Sequence, residues 1–269
     1  MLSGMLICLA LAGSPLTADK QGGSPIIQNP DTLVSSGSGT VDMEALEAAA
    51  AQALDLDGAR FGIAVRNFTT GEGFTRGSGT FEMGTPELIL SACAIDLDSR
   101  GLFPLDTLSS RGETLADQII MAREGDIEAT LRVGERLEEL VPGWLGENGF
   151  THTTYSGIQL MWPGAPEVEP NTSSPSDCMG MLALIEARLD NPDIRRLTRN
   201  PFTRTALEDI QTSAAPLYGF CSRGDGGQTR SAIAFLPGGS RVGIVVIADG
   251  LCCAEKADLA FRILWTALQ

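Results

Sequence analysis

The chain has 269 residues, 43% of them hydrophobic, with a formal net charge of −15 and a pI near 4.4. That apolar content supports a sizeable core and excludes global disorder, while the acidity excludes nucleic acid and anionic membrane as partners. Only Lys20 and Lys256 are lysines among 19 basic residues, so a mechanism that needs two lysines in one cleft is excluded too.

The first predicted element is a short apolar run, residues 5–13, followed by small residues and Ser14-Pro15. Nine residues cannot span a bilayer as a helix. Residues 1–19 read as the apolar core of a secretory leader, although no Lys or Arg precedes the run. An extracytoplasmic location is the expectation. Residues 20–41, rich in Gly, Ser, Pro, Thr and Asn, read as a flexible tether, and the folded domain is expected over 42–269.

The domain opens with an Ala-rich amphipathic helix ending at Asp57-Gly58. Two strands follow, about 60–67 and 73–77, joined by a turn at Thr70-Gly71, which is a hairpin signal. From about 84 to 145 the period is helical, with breaks expected near Gly101, Pro104, Gly125, Gly134 and Pro142. A Pro-rich polar loop leads to Pro175-Ser176 and a strongly apolar helix. A further helix is predicted over about 201–213, then strands at about 217–223, 230–236 and 241–249, and a closing helix over 254–268. The order predicts an α+β fold. A five-stranded antiparallel sheet is flanked by the N- and C-terminal helices, and an all-helical lobe is inserted between strands two and three.

Chemistry-bearing residues are few. The single histidine, His152, lies in the polar stretch Thr151-His152-Thr153, where it serves either as a hydrogen-bonding surface residue or as a base. The six cysteines form no C-x-x-C pair and have no companion histidine spacing, so no zinc site and no other metal or cofactor is expected. Cys252 and Cys253 are adjacent and do not bridge each other without strain.

This order of elements resembles the class A β-lactamase and penicillin-binding-protein transpeptidase group over about residues 42–269. The stretches that carry the likeness are FGIAVRNFTTGEGF, FEMGTPELIL, GENGF, NTSSPSD and RSAIAFLPGGSRVGIVVIAD. The resemblance implies three motifs around one cleft, S-x-x-K, S-D-N and K-T-G. It puts the nucleophile position at Thr85 and its lysine at Leu88. Threonine keeps a hydroxyl but is crowded by β-branching, and leucine takes no proton. Thr85 reads rather as the N-cap of the helix that starts there, for which threonine is well suited.

The second motif falls at Glu124-Gly125-Asp126, where two carboxylates either face the cleft or are solvated. The lysine of the third falls at Phe220 or Cys221. Arg223 is a surrogate cation displaced in register, and Arg230 stands where many class A enzymes carry a substrate-binding arginine. For the loop glutamate, Glu167 matches the E-x-x-x-N pattern, whereas spacing from Gly149 gives Gln159.

The implied function is a catalytically degenerate, exported member of the group, acting as a binding or structural module. Its partner is a protein or a small ligand in the former cleft. The alternatives are an active hydrolase with a rebuilt site, using Thr85, Cys221 or Ser222 with Glu124 or His152 as base, and a pure assembly subunit.

Overall fold

A computed structural model of the chain describes residues 40–158, 169–203, 205–212, 215–222 and 226–269. The leader, the tether up to residue 39, and the candidates Gln159, Glu167 and Arg223 lie outside the described residues.

Helix α1, Met43–Leu54, starts where the Asp42 carboxylate accepts from Ala45 N at 2.9 Å. Its apolar stripe, Leu46, Ala49, Ala50 and Ala53, is buried. Strands β1 (Arg60–Asn67) and β2 (Gly73–Arg76) form the expected hairpin. The last three strands are β5 (Leu217–Cys221), β6 (Gly227–Phe235) and β7 (Arg241–Asp249). The sheet is antiparallel in the order β2-β1-β7-β6-β5, so the two ends of the domain meet at its centre. A second, two-residue pairing joins β3 (Phe81–Glu82) to β4 (Thr172–Ser173), which the sequence did not announce.

The strands' period of two sorts the core into two layers. Phe61, Ile63, Val65, Leu217, Cys221, Val242, Ile244 and Val246 face α1 and the terminal helix α8 (Cys253–Leu268). Ala64, Phe220, Ile233, Val245 and Ile247 face the helical lobe. Both faces are covered, which is why the strands read as near-continuous apolar runs.

The lobe comprises α2 (Glu87–Ser99), α3 (Leu115–Arg123), α4 (Ile127–Leu137), α5 (Val141–Glu147), α6 (Pro175–Glu186) and α7 (Pro192–Thr198). Gly101 and Gly125 separate helices as expected, both with positive φ (67° and 93°). Gly134 does not. It lies inside α4, where a Cβ would meet the Ile158 side chain at 2.5 Å, so it is a packing glycine.

The helix expected at 201–213 is also corrected. The regular helix is α7, upstream, capped by the Asn191 side chain on Asp193 N with Pro192 in its first turn. Past Pro201, the hydroxyls of Thr203 and Thr205 bond back to Asn200 O and Phe202 O, and only a short 3-10 turn forms at Glu208–Thr212. No described helix is long and apolar enough to cross a membrane.

Candidate functional site

Thr85 sits at the mouth of α2, after Gly84 in a positive-φ turn. It does not cap the helix. The cap position is Pro86, which has no side-chain acceptor, and α2 starts instead from the bond of Leu90 N to Pro86 O. Leu88, one turn on, is 1% exposed and belongs to the core of the lobe. No group that could take a proton from Thr85 stands at this position.

Glu124 and Asp126 are on the surface rather than inside a cleft. Glu124 ends α3, and Gly125 makes the turn. Asp126 caps α4, its carboxylate accepting from Ala129 N at 2.9 Å. Both side chains are exposed, and of the two carboxylates only that of Asp126 has a described bond to a helix end.

Strand β5 separates the candidates that its numbering put together. Phe220 points into the lobe and Cys221 points to the opposite face, among the residues packed under α1 and α8. Ser222 faces the β3–α2 segment. Its hydroxyl donates to Met83 O and accepts from Thr229 N. Arg230 pairs with Cys221 across the β5–β6 ladder and shares its face. Its guanidinium is 3% exposed and fully engaged, to Asp258 of α8 at 2.5 Å, Ser222 O at 2.9 Å and Gln228 Oε1 at 2.9 Å. It works as the buried hub that ties the end of β5 to α8.

His152 has Thr151 (3.4 Å) and the Asp177 carboxylate (3.9 Å) as neighbours of its ring. Asp177 itself is buried and accepts from His152 N and from the Thr153 hydroxyl, both at 2.9 Å. The cluster clamps the start of α6, which is a structural role.

The space between α2, α3, α4 and β5 is nearly filled. Among the described residues it amounts to a cavity of about 10 Å³ lined by Glu87, Leu90, Ser91, Arg123, Thr130 and Phe220. That is room for one water at most. Phe220 fills it from the sheet and Leu88 packs in the core at the base of the same helix.

Arg123 closes it from α3. One guanidinium nitrogen donates to Leu197 O at 2.7 Å and to Arg199 O. Burial pulls this guanidinium below the usual arginine value, with Glu124 and Glu87 pulling the other way. Nothing in the sequence singled out Arg123, because its partners lie 74 and 76 positions downstream. Among the described residues no cluster of His, Cys, Asp and Glu could hold a metal ion.

No family model and no curated protein matches the chain. Solved structures do. The chain is similar to a β-lactamase from Desulfarculus baarsii DSM 2075 (TM-score 0.65, 16% identity, 84% of this chain and 98% of that one). It is also similar to a β-lactamase from Xanthomonas campestris pv. campestris (0.64, 16%, 82% and 95%) and to PBP-A (0.62, 16%, 88% and 98%). At such identities a likeness speaks for architecture and not for chemistry. The chain has the serine β-lactamase and penicillin-binding-protein fold, as the order and register of its five strands around the helical lobe require.

Proposed function

We propose that this chain is a β-lactamase-fold protein that has lost β-lactam chemistry and serves outside the cytoplasm as a binding or structural module. The observation that carries the reading is Leu88, 1% exposed in the core of the lobe where the group's activating lysine would stand. It takes no proton from Thr85, and Phe220, at a position of the third-motif lysine, packs into the same core. The leader-like run at 5–13 supports the location.

The rebuilt-hydrolase alternative finds little support. Cys221 faces the other core, and the Ser222 hydroxyl donates its proton to a main-chain carbonyl. His152 neighbours neither of them.

Incubation with a fluorescent penicillin, read as covalent mass gain, together with cephalosporin ring opening, tests the proposal. The expected result is no adduct and no turnover. An adduct on Thr85 that disappears in Thr85→Val would overturn it.

A further inference from the structure

Helix α4 has two faces with different business. Thr130 and Val133 line the small cavity beside α2. Glu128, Arg132 and Arg136, spaced i, i+4, i+8, stand on the other side and form, with the loop at 109–111, the wall of an open cavity of about 490 Å³. Three guanidinium groups, from Arg111, Arg132 and Arg136, therefore converge on one concavity, against the two carboxylates of Glu128 and Glu135, in a chain whose net charge is −15.

The three are not held alike. Arg136 is a fixture of the fold: it donates to Gln118 Oε1 at 3.0 Å and Thr107 O at 2.7 Å and lies over the Phe103 ring. Arg132 and Arg111 instead share the Glu128 carboxylate, at 3.2 and 3.4 Å, and Arg132 has Glu113 as a second counter-ion. The side chains of Glu128 and Arg111 are 75% and 66% exposed. The Nε of Arg132 is buried and makes no well-directed hydrogen bond, although Glu113 Oε2 stands 3.3 Å away. Beside them, Ser109 Oγ accepts from Arg111 N and Glu113 N, which leaves its own proton to be donated elsewhere. A surface ion pair as exposed as Glu128's is worth little to the fold and is easily exchanged. Planar guanidinium forks bind carboxylate and phosphate oxygens two at a time.

We infer that this cavity binds a small ligand carrying oxyanions, a polycarboxylate or a phosphate ester. Arg111, Arg132 and the Ser109 hydroxyl are the donors, and Glu128 is a resident counter-ion that the ligand displaces. The site lies on the opposite face of α4 from that small cavity and includes neither Thr85 nor Leu88, so silence toward β-lactams neither supports nor weakens it.

The test titrates the full chain with citrate and, separately, with inorganic phosphate, at constant ionic strength, following main-chain NMR shifts. Saturable shifts confined to the 109–111 loop and α4 are expected with at least one probe, and which one saturates names the ligand class. Glu128→Gln, which removes the counter-ion but no donor, should tighten binding by up to about fivefold, the range an exposed ion pair is worth. Arg111→Gln, at an exposed position that the fold does not need, should weaken it by about fivefold or more. Arg132→Gln should do the same but risks the α4 packing, so the exposed variant decides. No saturation with either probe at millimolar concentrations overturns the inference. So does binding that is indifferent to both Glu128→Gln and Arg111→Gln, which marks an adventitious ion only.

Discussion

Replacing Arg123 probes what closes the small cavity beside α2. Its guanidinium is largely buried and holds the carbonyls of Leu197 and Arg199, which join α7 to α3. A hydrogen bond to a charged group contributes about 1.5–3 kcal/mol, so the two bonds set an upper range of about 3–6 kcal/mol. Arg199 is exposed, and water can satisfy its carbonyl once the arginine is gone, which removes most of one bond from the loss. Leu197 is 1% exposed and its carbonyl has less recourse.

The expected cost of Arg123→Met, which keeps the apolar stem, is therefore about 2–4 kcal/mol. Arg123→Ala should lose a further ~1 kcal/mol of stem packing. Urea unfolding followed by the fluorescence of the buried Trp144 measures both. If Arg123→Met unfolds within about 0.5 kcal/mol of the parent, the guanidinium is not what pins α7 to α3, and the reasoning fails. Neither variant should gain a β-lactam adduct, since Leu88 still stands beneath Thr85.

Leu88→Lys puts a charge at a core position that is 1% exposed. It should cost on the order of 4–6 kcal/mol at neutral pH and restore no cephalosporin turnover, so measurable turnover in a folded variant would contradict the loss of chemistry. Cys93 and Cys178 are buried, and burial pushes both thiols up to about 12, whereas Cys252 is exposed. Under native conditions a maleimide should label Cys252 quickly and reach Cys93 and Cys178 only in urea; rapid native labelling of either would show the lobe to be open.

The Thr114 hydroxyl, first, and then the Thr114 main chain and Arg196 hold the Asp117 carboxyl below its ordinary value. A depressed folded pKa means stability that is present above the unfolded value, near 3.9, and lost as pH falls through the folded one. Asp117→Asn should therefore cost about 0.5 kcal/mol at pH 7, discounted for its exposure, with the gap closing as pH falls below the unfolded value. A gap that widens in acid would reverse the assignment.

The strands were the most legible part of the chain. RFGIAVRN and RVGIVVIAD are bounded by Asp57-Gly58, Thr70-Gly71 and Gly238-Gly239, and their lengths match β1 and β7 residue for residue. The helix over 201–213 was misread because its Ala, Leu, Glu and Asp content favours a helix. The deciding bonds are those of Thr203 and Thr205 to nearby carbonyls, and these compete invisibly. The cue for α7, Asn191-Pro192-Asp193, was present and is an ordinary helix start.

At the site, the residue types at 85 and 88 were readable, and so was the absence of lysine between residues 21 and 255. Which face of β5 each residue takes was not, because one position of register exchanges Phe220 for Cys221. The arginine cavity had a visible signal, the i, i+4, i+8 run of Glu128, Arg132 and Arg136. Its significance depended on Arg111 arriving from another segment.

The central place of β7 has a consequence for how the chain acquires its structure. Arg60 and Asp249 are ladder partners and bond each other across 189 positions of sequence. When β1 and β2 leave the ribosome they form only an isolated hairpin, which is marginal in water. β1 must wait for β7 before its other edge is covered, and the helical lobe emerges in the interval with no finished sheet to pack on. Closing so long a loop makes folding slow and late, with apolar strand edges exposed meanwhile. A nascent chain of this topology stays open to chaperones until its centre strand is delivered, and domain completion is concentrated into one terminal event.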